Sequence, residues 1–267
     1  MMNNPLTDAI HAARVLRLPV VAEHAGPLAD QGRDQHWSYE EYLAALLGRQ
    51  AAVREANGAT TRLRRAHFPR MTTMEDFNWD YQPSAPRQTI EHLATSTFVA
   101  KANNIILLGP PGVGKTHLAI ALGIKACQHG HSVIFKTAAD WITDLGDAHA
   151  QGMLAARLAD LDRTNLIIID ELGYLPLNAD AANLMFQLVS ARYETGSIII
   201  TSNLDFARWG ETLADPTIAA ALIDRLVHHA EIIALKGDSY RTRNRRTQQQ
   251  ATIKNHEPSD AQFNRQN

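Results

Sequence analysis

The sequence is short of several things, and each shortage narrows the field. Only one of its 267 residues is cysteine, Cys127, so an internal disulfide framework is excluded and a reducing compartment is expected. Cys127 sits in an apolar helical pattern, which reads as a small buried thiol rather than a reactive one. No apolar run approaches the roughly 20 residues that cross a bilayer. The opening residues, MMNNPLTDAIHAARVLRLP, lack the cationic start, apolar centre and small-residue cleavage site of a signal peptide. A soluble, cytoplasmic protein with no membrane partner is expected. Net charge is also small, at -2, so no overall field draws the chain to nucleic acid, and any such affinity must come from local patches. No internal repeat is evident.

What is present suits a folded chain. The apolar fraction of 45% over 267 residues is enough for one sizeable core and a smaller module. Residues 1–70 read as a small all-helical module. Ser38 with Glu41 forms a capping box ahead of a stripe carried by Tyr42, Ala45, Leu46 and Val53. Gly58 is expected to end that helix, with a second short one over Thr60 to Phe68 before Pro69. Residues 71–87, with Pro83 and Pro86, read as a linker whose Phe77, Trp79 and Tyr81 pack against a neighbour. From 88 to 246 short apolar runs alternate with helical patterns. The runs Asn104–Leu108, Ser132–Phe135, Leu166–Ile169 and Ser197–Thr201 suit strands buried on both faces of a parallel sheet. That alternation predicts a three-layer α/β sandwich. The polar tail, 247–267, has little to bury and is expected to be disordered.

Three strand ends carry the chemistry. After Asn104–Leu108 comes Gly109-Pro110-Pro111-Gly112-Val113-Gly114-Lys115-Thr116, and His117 opens an apolar helical pattern. A strand, this spacing and a helix together make a phosphate-binding loop rather than a chance glycine cluster. The glycines let backbone N–H groups cradle phosphate oxygens at a helix N-terminus. Lys115 can reach the β- and γ-phosphates, and the Thr116 hydroxyl can bind Mg²⁺. Leu166–Ile169 ends in Asp170-Glu171, a pair of acids costly to bury without a cation or polarised water. Asp170 is placed to orient the Mg²⁺ shell and Glu171 to act on the attacking water. A GTPase remains possible, but the adjacent glutamate argues for ATP. Ile198–Ile200 ends in Thr201-Ser202-Asn203, where Asn203 either holds the lytic water or simply starts a turn.

The order of these motifs resembles an AAA+ ATPase of the DnaA/DnaC-related branch, and more closely the IstB-like ATPases, helper proteins encoded by insertion sequences. The shared features are Arg64-Arg65-Ala66-His67-Phe68-Pro69, GPPGVGKTHLAIALG and Asp170-Glu171-Leu172-Gly173-Tyr174-Leu175-Pro176-Leu177. Further along come Thr201-Ser202-Asn203, Asp224-Arg225-Leu226-Val227-His228-His229 and Gly237-Asp238-Ser239-Tyr240-Arg241. The resemblance implies ATP-dependent self-assembly on duplex DNA and recruitment or activation of a transposase encoded by the same element. It implies that Arg225 reaches a neighbouring subunit's γ-phosphate and that Arg241 senses nucleotide in its own subunit. A surface ion pair with Asp224 or Glu231 is the plainer account of Arg225, and a basic tail that of Arg241. A DnaC-like helicase loader shares the ATPase pattern and is the nearest rival. A nucleotide-gated clamp with negligible hydrolysis is a third possibility.

Arg54, Arg62, Arg64, Arg65 and Arg70 form a basic stretch that either contacts DNA phosphates or is a solvated helix face. The resemblance favours DNA. The histidine pairs His129 with His131 and His228 with His229 have no cysteine or acid at recognisable zinc-ligand spacing, and read as structural or exposed. Trp141 and Trp209 read as packing residues.

Overall fold

Short β-branched runs between amphipathic patterns give an alternating fold, and the computed structural model describes residues 4–174, 176–213 and 215–240. The chain divides into two compact units, Met1–Arg64 and Arg65–Asn267.

The first unit holds α1 (Pro5–Val15), α2 (Pro19–Asp34) and most of α3 (Tyr39–Ala66). Ala13, Val21, Ala25, Leu28 and Leu46 form its core, with Trp37 and Tyr42 packed alongside. The start of α2 has no side-chain cap of its own. Gln50 of α3 supplies one, its Oε1 accepting from the Val20 amide at 3.1 Å. Ser38 and Glu41 make the expected capping box: the Ser38 amide donates to Glu41 Oε2 at 2.7 Å, and the Glu41 amide to Ser38 Oγ at 3.2 Å. The expected break at Gly58 does not occur, because α3 runs unbroken for 28 residues. Mid-helix glycine costs only about 1 kcal/mol relative to alanine. The flanking residues keep their helical hydrogen bonds, and Thr60 and Thr61 add bonds back to the Ala56 and Asn57 carbonyls.

The second unit opens with an irregular segment over 67–86, then α4 (Arg87–Leu93), α5 (Thr97–Ala100), β1 (Asn104–Leu108) and α6 (Lys115–Gln128). It continues with β2 (Val133–Thr137), α7 (Ala138–Ala150), α8 (Leu154–Leu161), β3 (Leu166–Leu172) and α9 (Ala179–Arg192). β4 (Ser197–Ser202), α10 (Phe206–Thr212), α11 (Pro216–Val227) and β5 (Ala230–Ala234) complete it. The strands form one five-stranded sheet in the order β2-β3-β4-β1-β5, every pairing parallel. Alternate side chains serve opposite faces. Ile167 and Ile169 join Trp141, Leu145, Met185, Leu188, Leu222 and Leu226 on one side. Ile168 faces the other way, where its Cδ1 lies 2.8 Å from the position a Gly123 side chain would take on α6. Helices therefore cover both faces, as expected for the three-layer sandwich. Trp141 and Trp209 are core residues and Cys127 is buried.

β5 was not among the four expected strands. It is an edge strand pairing only with β1, and of its five residues only Ile233 is buried. An edge position does not demand the continuous apolar run by which the central strands are recognised. Among the described residues no helix is long and apolar enough to cross a membrane. The expected disordered tail, 247–267, lies outside the described residues.

Candidate functional site

The sheet order puts β4 between β3 and β1, so three motif-bearing strand ends meet at the carboxyl end of the sheet. Leu108 pairs with Ser202, and the Gly109 amide donates to the Ser202 carbonyl at 3.2 Å. This brings Asn203 beside the first glycine of the P-loop. In open parallel sheets such carboxyl ends are where ligands bind.

The loop itself depends on glycine. Gly114 has φ 101°, and a Cβ there would lie 2.7 Å from Phe77 Cε2. A side chain at Gly109, at φ 143°, would run into the Leu235 carbonyl. Lys115 begins α6 and is 9% exposed. Its Nζ donates to the Gly109 carbonyl at 2.6 Å and to the Pro110 carbonyl at 2.8 Å, inside the curl of the loop.

Asp170 is 4% exposed. Its Oδ1 accepts from Thr116 Oγ1 at 2.9 Å and from Thr201 Oγ1 at 2.5 Å, joining the P-loop helix, β3 and β4 through one oxygen. The next residue parts company with it. The β3–β4 register runs Ile169↔Ile200 and resumes at Leu172↔Ser202, so Asp170 and Glu171 stand against the single residue Thr201. A bulge of this kind re-aims a side chain. Glu171 takes φ 61°, is solvent-exposed while its neighbours Asp170 and Leu172 are buried, and its amide donates to Thr201 Oγ1 at 2.9 Å. The bulge thus turns one acid inward and the other out. Across from it Asn203 holds its Oδ1 buried with no hydrogen-bond partner, a costly arrangement for an amide oxygen.

A cavity of ≈ 220 Å³ lies over the P-loop, walled by Gly112 to His117 on one side and by Arg70, Phe77, Tyr81, Gln82 and Tyr240 on the other. The segment expected as a linker therefore belongs to the site. Gln82 Nε2 donates to the Val113 carbonyl at 3.0 Å. His117 Nε2 lies 2.7 Å from the Thr73 carbonyl oxygen, its ring edge-on to Phe77 at 5.3 Å. The end of the described chain closes over the loop as well. The Tyr240 amide donates to the Gly112 carbonyl at 3.0 Å, and Tyr240 meets Tyr81 edge-on at 4.8 Å. Sequence reasoning missed Phe77, Gln82 and Tyr240 here. The signals were the aromatics and prolines of 71–87, which look the same in a linker, and for Tyr240 its place in the Gly237–Arg241 stretch shared with the resembled family.

Two acids of that segment, Glu75 and Asp76, are held ionised. Hydrogen bonds from Lys125 first, then from backbone and Thr73, bring the Glu75 carboxyl down to about 2. The Thr73 amide and then its hydroxyl lower Asp76.

Other expected residues fall elsewhere. Arg225 lines neither the P-loop cavity nor the one beside Glu171. Its guanidinium lies over the Phe186 ring at 4.6 Å, and Nη1 reaches the Ala221 carbonyl at 3.5 Å. Neither Asp224 nor Glu231 pairs with it among the described residues. Of the basic stretch, Arg54, Arg64 and Arg65 are exposed and Arg62 is half-buried. Because α3 is continuous, Arg54 and Arg62, eight residues apart, lie on the same side of it. Arg70, grouped by sequence with the DNA-facing arginines, lines the P-loop cavity. Arg241 lies outside the described residues.

Comparison with known proteins agrees with this geometry. The family described as IstB-like ATP binding protein matches residues 11–248. An insertion sequence IS21 protein of Pseudomonas aeruginosa, named for ATP binding, is 41% identical over 231 residues, 86% of this chain and 87% of the relative. A counterpart named for insertion sequence IS5376 of Geobacillus stearothermophilus is 39% identical over 235 residues, covering 88% and 94%. Among solved structures the chain is similar to AMPPCP-bound DnaA from Aquifex aeolicus, with TM-score 0.53 and 19% identity over 72% of this chain and 58% of that one. It is also similar to DnaI, with TM-score 0.51 and 21% identity over 65% and 94%. At these identities the structures speak for the fold alone. The family match spans both units and includes every described motif at the strand ends, so the chain belongs to the IstB-like ATP-binding proteins.

Proposed function

We propose that this protein hydrolyses ATP with Mg²⁺ at the P-loop, that copies assemble on duplex DNA to do so, and that the assembly recruits or activates a transposase in the cytoplasm. The observation that carries the enzymatic part is the bulge dividing Asp170 from Glu171. It supports two roles for two adjacent acids, one buried on hydroxyls and one free to meet water.

On this reading the backbone N–H groups from Gly109 to Thr116 hold the phosphates, and Lys115 exchanges its two loop carbonyls for β- and γ-phosphate oxygens. Thr116 and Asp170 would hold the magnesium ion, which when bound would offset the charge of the phosphate oxygens. Their existing hydroxyl–carboxylate contact supports that fit. Glu171 accepts a proton from the attacking water, and the unpartnered Oδ1 of Asn203 orients it. Phe77, Tyr81, Gln82 and Arg70 enclose the nucleoside side of the cavity and exclude bulk water.

Arg225 lines neither cavity of its own chain, which is compatible with the role the family resemblance implies for it, reaching a neighbouring copy's γ-phosphate. Hydrolysis is then conditional on assembly. The exposed arginines of α3 supply phosphate contacts with little base reading, so DNA affinity falls steeply with salt. Relatives named for insertion sequences support a transposase as partner rather than a ring helicase.

Phosphate release measured with ATP, Mg²⁺ and duplex DNA is the test. Glu171→Gln is expected to lower the rate by roughly 10²–10⁴-fold while ATP binding persists. Equal rates in wild type and variant would end the enzymatic claim and leave a nucleotide-gated clamp.

A further inference from the structure

Two helices finish at a common point on the surface. α9 is capped at its C-terminus by Tyr193 and α11 by His228, and the residue after each cap completes a cluster. Glu194, His228 and His229 each present one ligand atom, and these atoms all lie within 4.8 Å of one another. His229 Nε2 is 3.7 Å from Glu194 Oε1, and the two imidazole rings stand 4.2 Å apart at 62°. The sequence hides the acid, because Glu194 precedes the histidine pair by 34 residues and comes to it only through the fold.

The cluster is held in place from behind. The Tyr193 hydroxyl is 2.9 Å from His228 Nδ1 and fixes that ring. The Asn104 amide donates to the His229 carbonyl at 2.7 Å, tying its backbone to the start of β1. Glu194 itself sits at φ 60°, a conformation uncommon for a residue with a side chain and one that recurs at ligand clamps. The local field favours a cation. Two helix C-termini converge with their partial negative charge.

We propose that Glu194, His228 and His229 bind one divalent ion of the imidazole-preferring class, Zn²⁺ foremost, with three protein ligands and the remaining positions open to water. Two imidazoles and a carboxylate are a zinc donor set. The ion bridges the ends of α9 and α11. These are the helices whose Phe186 and Arg225 stack together, and Arg225 lies one turn before His228. Occupancy therefore stiffens the pair that carries Arg225. The claim does not depend on ATP hydrolysis.

The test uses the full chain, stripped with chelator and free of nucleotide, titrated with Zn²⁺ by calorimetry alongside Glu194→Gln, His228→Ala and His229→Ala. Twelve histidines are present in the sequence, so the readout is the difference between proteins. The wild type is expected to bind one equivalent more than the histidine variants, and Glu194→Gln to bind that equivalent at least tenfold more weakly. Zn²⁺ should raise the melting temperature of the wild type and leave the histidine variants unmoved. Excess Mg²⁺, which prefers oxygen ligands, should not displace it. All three positions are exposed, where substitutions cost little stability, so the variants remain folded. Co²⁺ bound to the wild type offers a second reading through visible bands of histidine ligation. Equal stoichiometry in wild type and variants, or no bands and no thermal shift, overturns the site and leaves a His229–Glu194 ion pair.

Discussion

Two asparagines at opposite ends of the same sheet show how this fold divides its labour. Asn104 opens β1, and both ends of its amide are engaged. Nδ2 donates to the Leu226 carbonyl at 3.1 Å, and Oδ1 accepts from the Ile198 amide at 3.0 Å. Asn203 follows β4 at the other end and leaves Oδ1 buried and unpaired. Arg192 belongs with Asn104. It is 1% exposed, and its guanidinium donates to the carbonyls of Leu161, Thr164, Asn165 and Ser197. Burial lowers its pKa to about 10, so it stays charged near neutrality and gathers the loops ahead of β3 and β4. The amino ends of the strands are thus tied together by side-chain hydrogen bonds, with Nε the one Arg192 nitrogen left unpaired. The carboxyl ends keep a bulge, a left-handed glutamate and an orphaned oxygen. A bulge and a left-handed non-glycine residue recur at functional sites, and their coincidence with the unpaired Asn203 oxygen marks the carboxyl end as the working side.

The sharpest way to break this comparison is through Arg225, which lines neither cavity of its own chain. Arg225→Ala alone is expected to lower ATP turnover by roughly 10³-fold or more, the scale of an arginine supplied in trans. Mixed with Glu171→Gln it should recover part of the activity, since each variant provides the half-site the other lacks. No recovery at any mixing ratio, with both variants still assembling, would place Arg225 outside the shared site.

The asparagines come next, as a matched pair. Asn203→Ala should reduce turnover by about 10²-fold, at the low end for a group that positions the reacting water, with an unchanged or slightly raised melting temperature because the orphaned oxygen is gone. Asn104→Ala should do the reverse. It strands the Leu226 carbonyl and the Ile198 amide in the interior, costing about 2–4 kcal/mol and lowering the melting temperature by roughly 5–15 °C, with nucleotide affinity intact. A variant pair that shifts both readouts alike would dissolve the division between working and structural ends.

The working end was largely legible in the sequence because its demands are local. A strand, a glycine loop and a helix start are contiguous, and Asp170 and Glu171 follow an unmistakable buried run. The bulge that separates them was not legible, since register depends on the facing strand. The cavity's far wall was only partly legible, since Phe77 and Tyr81 were expected to pack against a neighbour that the sequence does not name. Phe77, Gln82 and Tyr240 are brought to the P-loop by tertiary contacts across 30 to more than 120 positions of chain, and no local periodicity records that. β5 escaped because a half-exposed edge strand needs little apolar character, and α3 runs past Gly58 because one glycine is too weak to stop a long helix. Glu194 beside His228 and His229 is the same lesson on the surface.

The smallest expected effect tests how the far wall is held. Glu75 donates nothing to catalysis on the proposed reading, but its carboxylate takes a hydrogen bond from Lys125 of α6 at 3.0 Å and so pins the segment carrying Phe77 to the P-loop helix. Its pKa falls from 4.5 to about 2 on folding. A depressed carboxyl stabilises the folded state above its unfolded pKa, and that contribution is lost as pH drops through the folded value. The loss therefore falls between about pH 4.5 and about pH 2. Glu75→Gln removes the titration, so the variant's melting temperature should decline less steeply than wild type across this window. The pair is exposed on the glutamate side, which keeps the difference below about 4 °C. A variant that tracks the wild-type curve throughout would mean the segment is seated by Phe77, Gln82 and His117 alone, with the Lys125 contact a surface pairing of no consequence.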